Sequence, residues 1–154
     1  MSTKYGSNLP FHKYPGSGRT LLGTRSTENC RHGYGLKLQQ ITRQGKCAYC
    51  GADLTDRYEN WLTMAVDHVV PAAWAKRMSI PREWFDDYSN LVLSCAACNT
   101  FHNHYIPSDE GRPLTLNRFF DLRDSVFIQR RDMIKMRHTE EHEFYSKKPW
   151  VNPA

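Results

Sequence analysis

The chain has 154 residues and a mass of 18.0 kDa, which is the length of one domain, and its 40% apolar and 24% charged residues exclude a disordered protein. No apolar run approaches the roughly 20 residues that a membrane span requires, and the N-terminus shows no hydrophobic signal region. We therefore expect a cytoplasmic protein that neither enters a membrane nor is secreted.

The net charge of +5 is distributed unevenly along the chain. Residues 1–46 hold eight Lys or Arg and one acidic residue, whereas residues 47–154 hold thirteen and fifteen. A basic segment ahead of a nearly neutral body is typical of a chain that contacts phosphates. We predict a basic, loop-rich arm over residues 1–35 and a folded domain over residues 36–154; a merely soluble tail is the alternative for the arm.

The segments after the arm alternate between helical and extended patterns. In chain order they predict a short helix from Leu36 that stops at Gly45, a tight knuckle at Cys47–Gly51, a strand within Leu62–Pro71, helix or turn at Ala72–Met78 and after Pro81, a second strand at Leu91–Cys95, and a helix at Ala96–Tyr105. The last of these helices should break at 106–111, which contains Pro and Gly.

The C-terminal third is the most helical part of the sequence. Its apolar residues, from Phe119 to Ile134, recur at spacings near 3.6 residues and predict one long amphipathic helix through about Arg137. Thr139 precedes two glutamates, which favours an N-cap and a second short helix.

Four of the five cysteines form two Cys-x-x-Cys pairs, and each pair can present both sulfurs to one ion. These ligands are Cys47, Cys50, Cys95 and Cys98. Four thiolates suit tetrahedral zinc in a closed, structural site, so we expect one Zn²⁺ per chain that stabilises the fold without doing chemistry. Two disulfides or a redox pair are the alternatives. Cys30 is left over and is expected to be a free or buried thiol.

The segment between the cysteine pairs carries polar residues at the ends of the predicted strands and helix. Asp67-His68 ends the first predicted strand, Asn90 precedes the second, and Asn99 follows the last cysteine. With the sequences Val-Asp-His-Val-Val-Pro at 66–71 and Asn-Leu-Val-Leu-Ser-Cys at 90–95, this region resembles the HNH endonuclease family in its zinc-binding HNN form. The resemblance covers about residues 36–105 and implies an α+β fold: a small, mostly helical domain around a ββα-metal core at about 62–105, with a four-cysteine zinc site.

The resemblance implies a site that hydrolyses DNA phosphodiester bonds. His68 would take a proton from water, since imidazole has an ordinary pKa of about 6.5, and Asn90 would tie the loop between the strands and orient His68. Asp67 and Asn99 offer hard oxygen ligands, which favour Mg²⁺ or Mn²⁺ as the catalytic cation. Asn103, one helical turn beyond Asn99, is a further candidate ligand.

The sequence thus predicts a metal-dependent HNH endonuclease whose partner is DNA. The basic residues expected to contact it are Lys4, Lys13, Arg19, Arg25 and Arg31 in the arm, with Arg43 and Lys46 nearer the cut strand. One such unit cuts one strand, so a double-strand break needs a homodimer or two separate events, and the sequence leaves both open. The rival is a zinc-ribbon module that binds nucleic acid or a protein without cutting.

Overall fold

Two antiparallel strands lie at the centre of the fold. The computed structural model describes residues 9–14, 30–102 and 111–151. Strand β1, Met64–His68, pairs with strand β2, Leu91–Cys95, so that Met64 lies opposite Cys95 and His68 opposite Leu91. Both strands lie within the segments predicted to be extended.

Helix α5, Ala96–His102, follows β2 without a connecting loop and packs against both strands. This ββα unit, with the helices around it and the cysteine cluster described below, confirms the predicted α+β fold class. The connection between the strands holds two short helices, α3 at Ala72–Arg77 and α4 at Arg82–Phe85. Each begins directly after a proline, whose fixed φ suits a helix start.

Two further helices precede the strands. Helix α1, Tyr34–Thr42, ends three residues before the predicted stop at Gly45, because Arg43 takes the left-handed conformation with φ 55°. Helix α2 is a single turn at Tyr58–Leu62 that the sequence patterns did not predict. Gly35 in α1 is a point of close approach: a Cβ there would lie 2.6 Å from the Cys30 carbonyl oxygen.

The C-terminal helix, α6, is longer than predicted. It runs unbroken from Leu116 to Ser146, and the Thr115 hydroxyl caps its start by accepting from the Arg118 N–H. The prediction of a new helix at Thr139 was wrong: the Thr139 hydroxyl donates back to the Lys135 carbonyl within the helix. No glycine or proline interrupts this stretch, and ion pairs one turn apart bridge the predicted boundary.

The core lies between α6, the sheet and part of the basic arm. Phe119, Val126 and Phe127 of α6 are buried there, and so is Leu9. The Tyr14 hydroxyl donates to the Leu91 carbonyl at 2.7 Å. Residues 9–14 are therefore docked on the domain.

Several predictions fall on residues that the structure does not describe. They are the rest of the arm through residue 29, with Lys4, Arg19 and Arg25, the candidate ligand Asn103, and the helix break over residues 106–110. The boundary between arm and domain stays a prediction. In the described ranges, no helix combines the length and the apolar character that crossing a bilayer requires.

Candidate active site and metal centre

The two Cys-x-x-Cys pairs meet at one point. Cys47 and Cys50 lie in the knuckle, which is held to the sheet because the Ala48 N–H donates to the Leu93 carbonyl at 2.9 Å. Cys95 ends β2 and Cys98 lies in the first turn of α5. The four Sγ atoms all lie within 4.8 Å of one another.

This cluster fits a tetrahedral zinc ion. Zinc–sulfur bonds of about 2.3 Å place neighbouring sulfurs about 3.8 Å apart, and the Sγ atoms of Cys50 and Cys95 are 3.8 Å apart. All five cysteines of the chain are free, so the alternative of two disulfides is not what the structure contains. Burial raises the pKa of the fifth thiol, Cys30.

The four thiols cannot all ionise without a cation. Hydrogen bonds from the other three thiols lower the pKa of Cys47, while contacts within the cluster raise the pKa of Cys50 and of Cys98. The hydrogen bond with Cys47 raises the pKa of Cys95 and those with Cys50 and Cys98 lower it, with a net decrease to about 7. Two of the four cysteines thus favour the thiolate and two the thiol. A central cation would remove the repulsion among four thiolates and displace the remaining protons.

A residue of α6 also contacts the cluster. The His138 Nε2 atom lies 3.0 Å from the Cys98 Sγ atom, within hydrogen-bond distance. The imidazole packs edge-on against Phe101, with the ring centres 5.0 Å apart. His138 therefore links the C-terminal helix to the cysteine cluster, a role that no sequence pattern indicated.

The imidazole of His68 is held at one nitrogen. It lies at the end of β1 with 29% of its side chain exposed, and its Nε2 atom is 2.8 Å from Asp86 Oδ1. The hydrogen bond with His68 and the nearby Arg82 guanidinium lower the pKa of Asp86 to about 2. Because an ionised carboxylate only accepts hydrogen bonds, Nε2 carries the proton and neutral His68 has its lone pair on Nδ1.

Asn90 joins the two ends of the connection between the strands. Its buried amide nitrogen donates to the Val70 carbonyl at 3.1 Å and to the Phe85 carbonyl at 2.9 Å. Its amide oxygen accepts from the Val70 N–H at 3.0 Å. Asn90 therefore fixes the backbone next to Asp86, the residue that holds His68, and acts on the imidazole only through that backbone.

Asp67 leaves β1 on the face opposite to His68 and is buried. Its Oδ2 atom accepts from Arg130 Nη1 at 2.7 Å and from the Tyr49 hydroxyl, and its Oδ1 atom accepts from Arg130 Nη2 at 3.1 Å. Oδ1 therefore keeps one acceptor position, while Oδ2 uses both of its own.

The other candidate residues have different surroundings. Asn99 is half-buried on α5, and within the described ranges no hydrogen bond joins its amide to Asp67 or His68. Arg31 is engaged within the protein, donating to the Leu62 carbonyl at 3.0 Å. Lys13 and Lys46 line one surface cavity of about 350 Å³ beside the knuckle, and Arg43 is exposed at the end of α1.

Comparison with known families gives one finding. The family model described as HNH endonuclease matches residues 47–105. Residues 47–105, the HNH segment, are therefore similar to the HNH endonuclease family. The comparison with curated proteins and the comparison with solved structures give no match.

The HNH segment contains most of the site but not all of its contacts. His68, Asp86 and Asn90 lie inside the matched range with the four cysteines, whereas Arg130 and His138 lie outside it on α6. Sequence reasoning missed the roles of Asp86 and His138 because no fixed spacing joins them to their partners.

The burial of Arg130, by contrast, could have been predicted from its position in the helical pattern of the sequence. Arg130 lies four residues before the buried Ile134 and seven after the buried Arg123, on the apolar face of α6. An arginine at a core position of an amphipathic helix indicates a buried ion pair.

Proposed function

We propose that this protein is a metal-dependent endonuclease that hydrolyses the phosphodiester bonds of DNA. The observation that carries the proposal is the partly exposed His68 imidazole at the end of β1 in the HNH segment, held at Nε2 by Asp86. Binding of nucleic acid alone has no need for an imidazole held in this way. Asp86 holds the ring directly, and Asn90 holds the backbone beside Asp86.

His68 is the general base in this proposal. Asp86 fixes the proton on Nε2, which leaves Nδ1 to accept a proton from the attacking water. Among the described residues no side chain hydrogen-bonds to Nδ1, and the partial exposure of the ring gives water access to it. The resulting imidazolium is stabilised by the adjacent Asp86 carboxylate.

Asp67 and Asn99 are the residues that would hold a catalytic Mg²⁺ or Mn²⁺, which requires the backbone to turn where β1 ends at His68 so that the Asp67 and His68 side chains serve one site. One carboxylate and one amide oxygen form a hard donor set, and Asp67 Oδ1 keeps one acceptor position. When bound, such a cation neutralises charge on the phosphate and stabilises the departing alkoxide. Asn103 remains a third candidate ligand. The four cysteines would hold a separate Zn²⁺, one per chain, that stabilises the fold.

The DNA backbone is the expected partner surface. Lys13 and Lys46 share one cavity beside the zinc knuckle, and paired cations favour phosphate contacts that carry no sequence information. Arg43 is exposed nearby on the chain. A single HNH unit would produce nicks, and a dimer would be needed for a concerted double-strand break.

The test is relaxation of supercoiled plasmid by purified protein. We expect nicking with Mg²⁺ or Mn²⁺, none with EDTA, and none by His68→Ala. His142→Ala is the matched control because His142 is exposed on α6 and far along the chain from the HNH segment. Equal nicking by wild type and His68→Ala would refute the assigned base. Retention of DNA binding without nicking under any divalent cation would favour the zinc-ribbon binding module.

A further inference from the structure

The side chain of Arg130 is the largest one that is fully buried in the described part of the protein. Its guanidinium makes four hydrogen bonds at the end of β1. Nη1 donates to Asp67 Oδ2 at 2.7 Å and to the carbonyls of His68 and Val69 at 3.0 Å each, and Nη2 donates to Asp67 Oδ1 at 3.1 Å. One side chain of α6 thus contacts three consecutive residues around the candidate base.

These carbonyls need a donor from outside the sheet. The β1–β2 pairing ends at His68 opposite Leu91, and beyond it the Val69 N–H turns to the Asn90 carbonyl at 2.9 Å. Buried carbonyls without a partner are costly, and Arg130 supplies donors to two of them. Hydrogen bonds from Arg130 of α6 therefore help to fix the orientation of the backbone at His68.

The charges at this point are balanced within the buried cluster. Asp67 and Arg130 form a bidentate pair, and the Tyr49 hydroxyl donates to the same carboxylate. Burial raises the pKa of Tyr49 well above its ordinary value, so the hydroxyl keeps its proton and remains a donor. A planar guanidinium can satisfy two carboxylate oxygens and two carbonyls together, which a lysine ammonium cannot.

We propose that Arg130 is a positioning residue of the nuclease: it orients the backbone of His68, whose ring is held at its other end by Asp86. The proposal rests on the proposed function of His68 as the base. Arg130 touches neither water nor substrate in this role. It acts through the carbonyls of His68 and Val69 and through Asp67.

The test variant is Arg130→Lys, which keeps the positive charge that Asp67 requires but loses the planar guanidinium with its paired N–H donors. Arg131→Lys is the matched control, because Arg131 is the next residue, a third exposed, and its nearest acid is Asp132 at 4.0 Å. Mutation of a residue that hydrogen-bonds to a candidate metal ligand and orients it lowers activity by about 10- to 100-fold. We expect Arg130→Lys to lower the kcat of plasmid nicking about tenfold, with an unchanged KM for plasmid, while Arg131→Lys behaves as wild type.

A second readout follows the His68 ring without using activity. In ¹⁵N-histidine-labelled protein, the ring signals of His68 are assigned by their loss in His68→Gln. We expect them to broaden or split in Arg130→Lys, because a loosened backbone allows more than one ring orientation, and to stay unchanged in Arg131→Lys. Should Arg130→Lys fail to fold, the double variant Asp67→Asn/Arg130→Gln replaces it for the ring signals, with Asp67→Asn as its reference, since the double variant removes the guanidinium together with its counter-charge and leaves no buried ion unpaired.

The outcomes separate the two proposals. Unchanged His68 signals in a folded Arg130→Lys protein, or in a folded Asp67→Asn/Arg130→Gln protein compared with Asp67→Asn alone, overturn the positioning role, as does a kcat of Arg130→Lys that falls only in proportion to the folded fraction. A wild-type protein that folds and binds zinc but never nicks DNA overturns the proposed function. In that case the ring signals of His68 still decide whether Arg130 positions it.

Discussion

Replacing Asn90 by alanine removes a side chain that closes the connection between the two strands. Asn90 is fully buried, and its amide hydrogen-bonds three backbone groups, the N–H and carbonyl of Val70 and the carbonyl of Phe85. Alanine leaves all three without a partner where water does not reach. Each net loss is about 1 kcal/mol and more where the orphaned group stays buried, so we expect Asn90→Ala to lower the free energy of unfolding by about 3 kcal/mol.

The assay is urea unfolding of the zinc-loaded protein, followed by circular dichroism. With a urea dependence of about 2 kcal/mol per molar for a domain of this size, a loss of about 3 kcal/mol moves the midpoint down by about 1.5 M. Asn60→Ala is the matched control, because the Asn60 amide donates only to the exposed Asp56 carboxylate. Its effect should stay within about 0.5 kcal/mol.

The contrast with His68 sharpens the test. His68→Ala removes a partly exposed ring with one hydrogen bond to Asp86, so it should abolish nicking while unfolding close to the wild type. If Asn90→Ala unfolds within about 1 kcal/mol of the wild type, the three hydrogen bonds do not hold the connection, and the account of how His68 is placed fails.

Two further predictions concern the side chains that contact His68 and the cysteine cluster. Asp86 has a pKa of about 2 in the fold, below its ordinary 3.8, so its ionised form stabilises the fold above about pH 4 and this contribution is lost as the pH falls toward 2. Its ¹³C carboxyl shift, assigned with Asp86→Asn, should stay constant from pH 6 to pH 4; a midpoint near pH 4 would contradict the contact. His138→Ala removes a hydrogen-bond partner of the Cys98 sulfur and should speed zinc transfer to a coloured chelator about tenfold relative to His142→Ala. Equal rates would show that the contact does not affect metal retention.

The elements that the sequence predicted well are those fixed by neighbouring residues. The apolar run at Leu91–Cys95 forms a strand with those bounds, and the proline-started helices begin where prolines allow. Two Cys-x-x-Cys pairs have few arrangements other than a shared ion, so the cluster could be predicted before its geometry was known. Local chemistry decides these features.

The remaining features depend on contacts between distant parts of the chain. Arg43 ends α1 by a left-handed turn that no residue preference indicates, and Thr139 had every local mark of a helix start yet lies inside α6. Asp86 reaches His68 only because the connection between the strands folds back. Arg130 reaches Asp67 across 63 positions in sequence. Such pairings follow from tertiary packing, which spacing rules do not contain.

Helix α6 contacts the HNH segment at two places, with Arg130 at the end of β1 and His138 at the cysteine cluster, and these residues lie two turns apart, about 12 Å along the axis. A fragment trimmed to residues 47–105 would retain the whole matched segment and still lose the counter-charge of Asp67 and the hydrogen-bond partner of Cys98. Any attempt to transplant this segment into another protein as a portable cutting module must therefore carry the C-terminal helix with it.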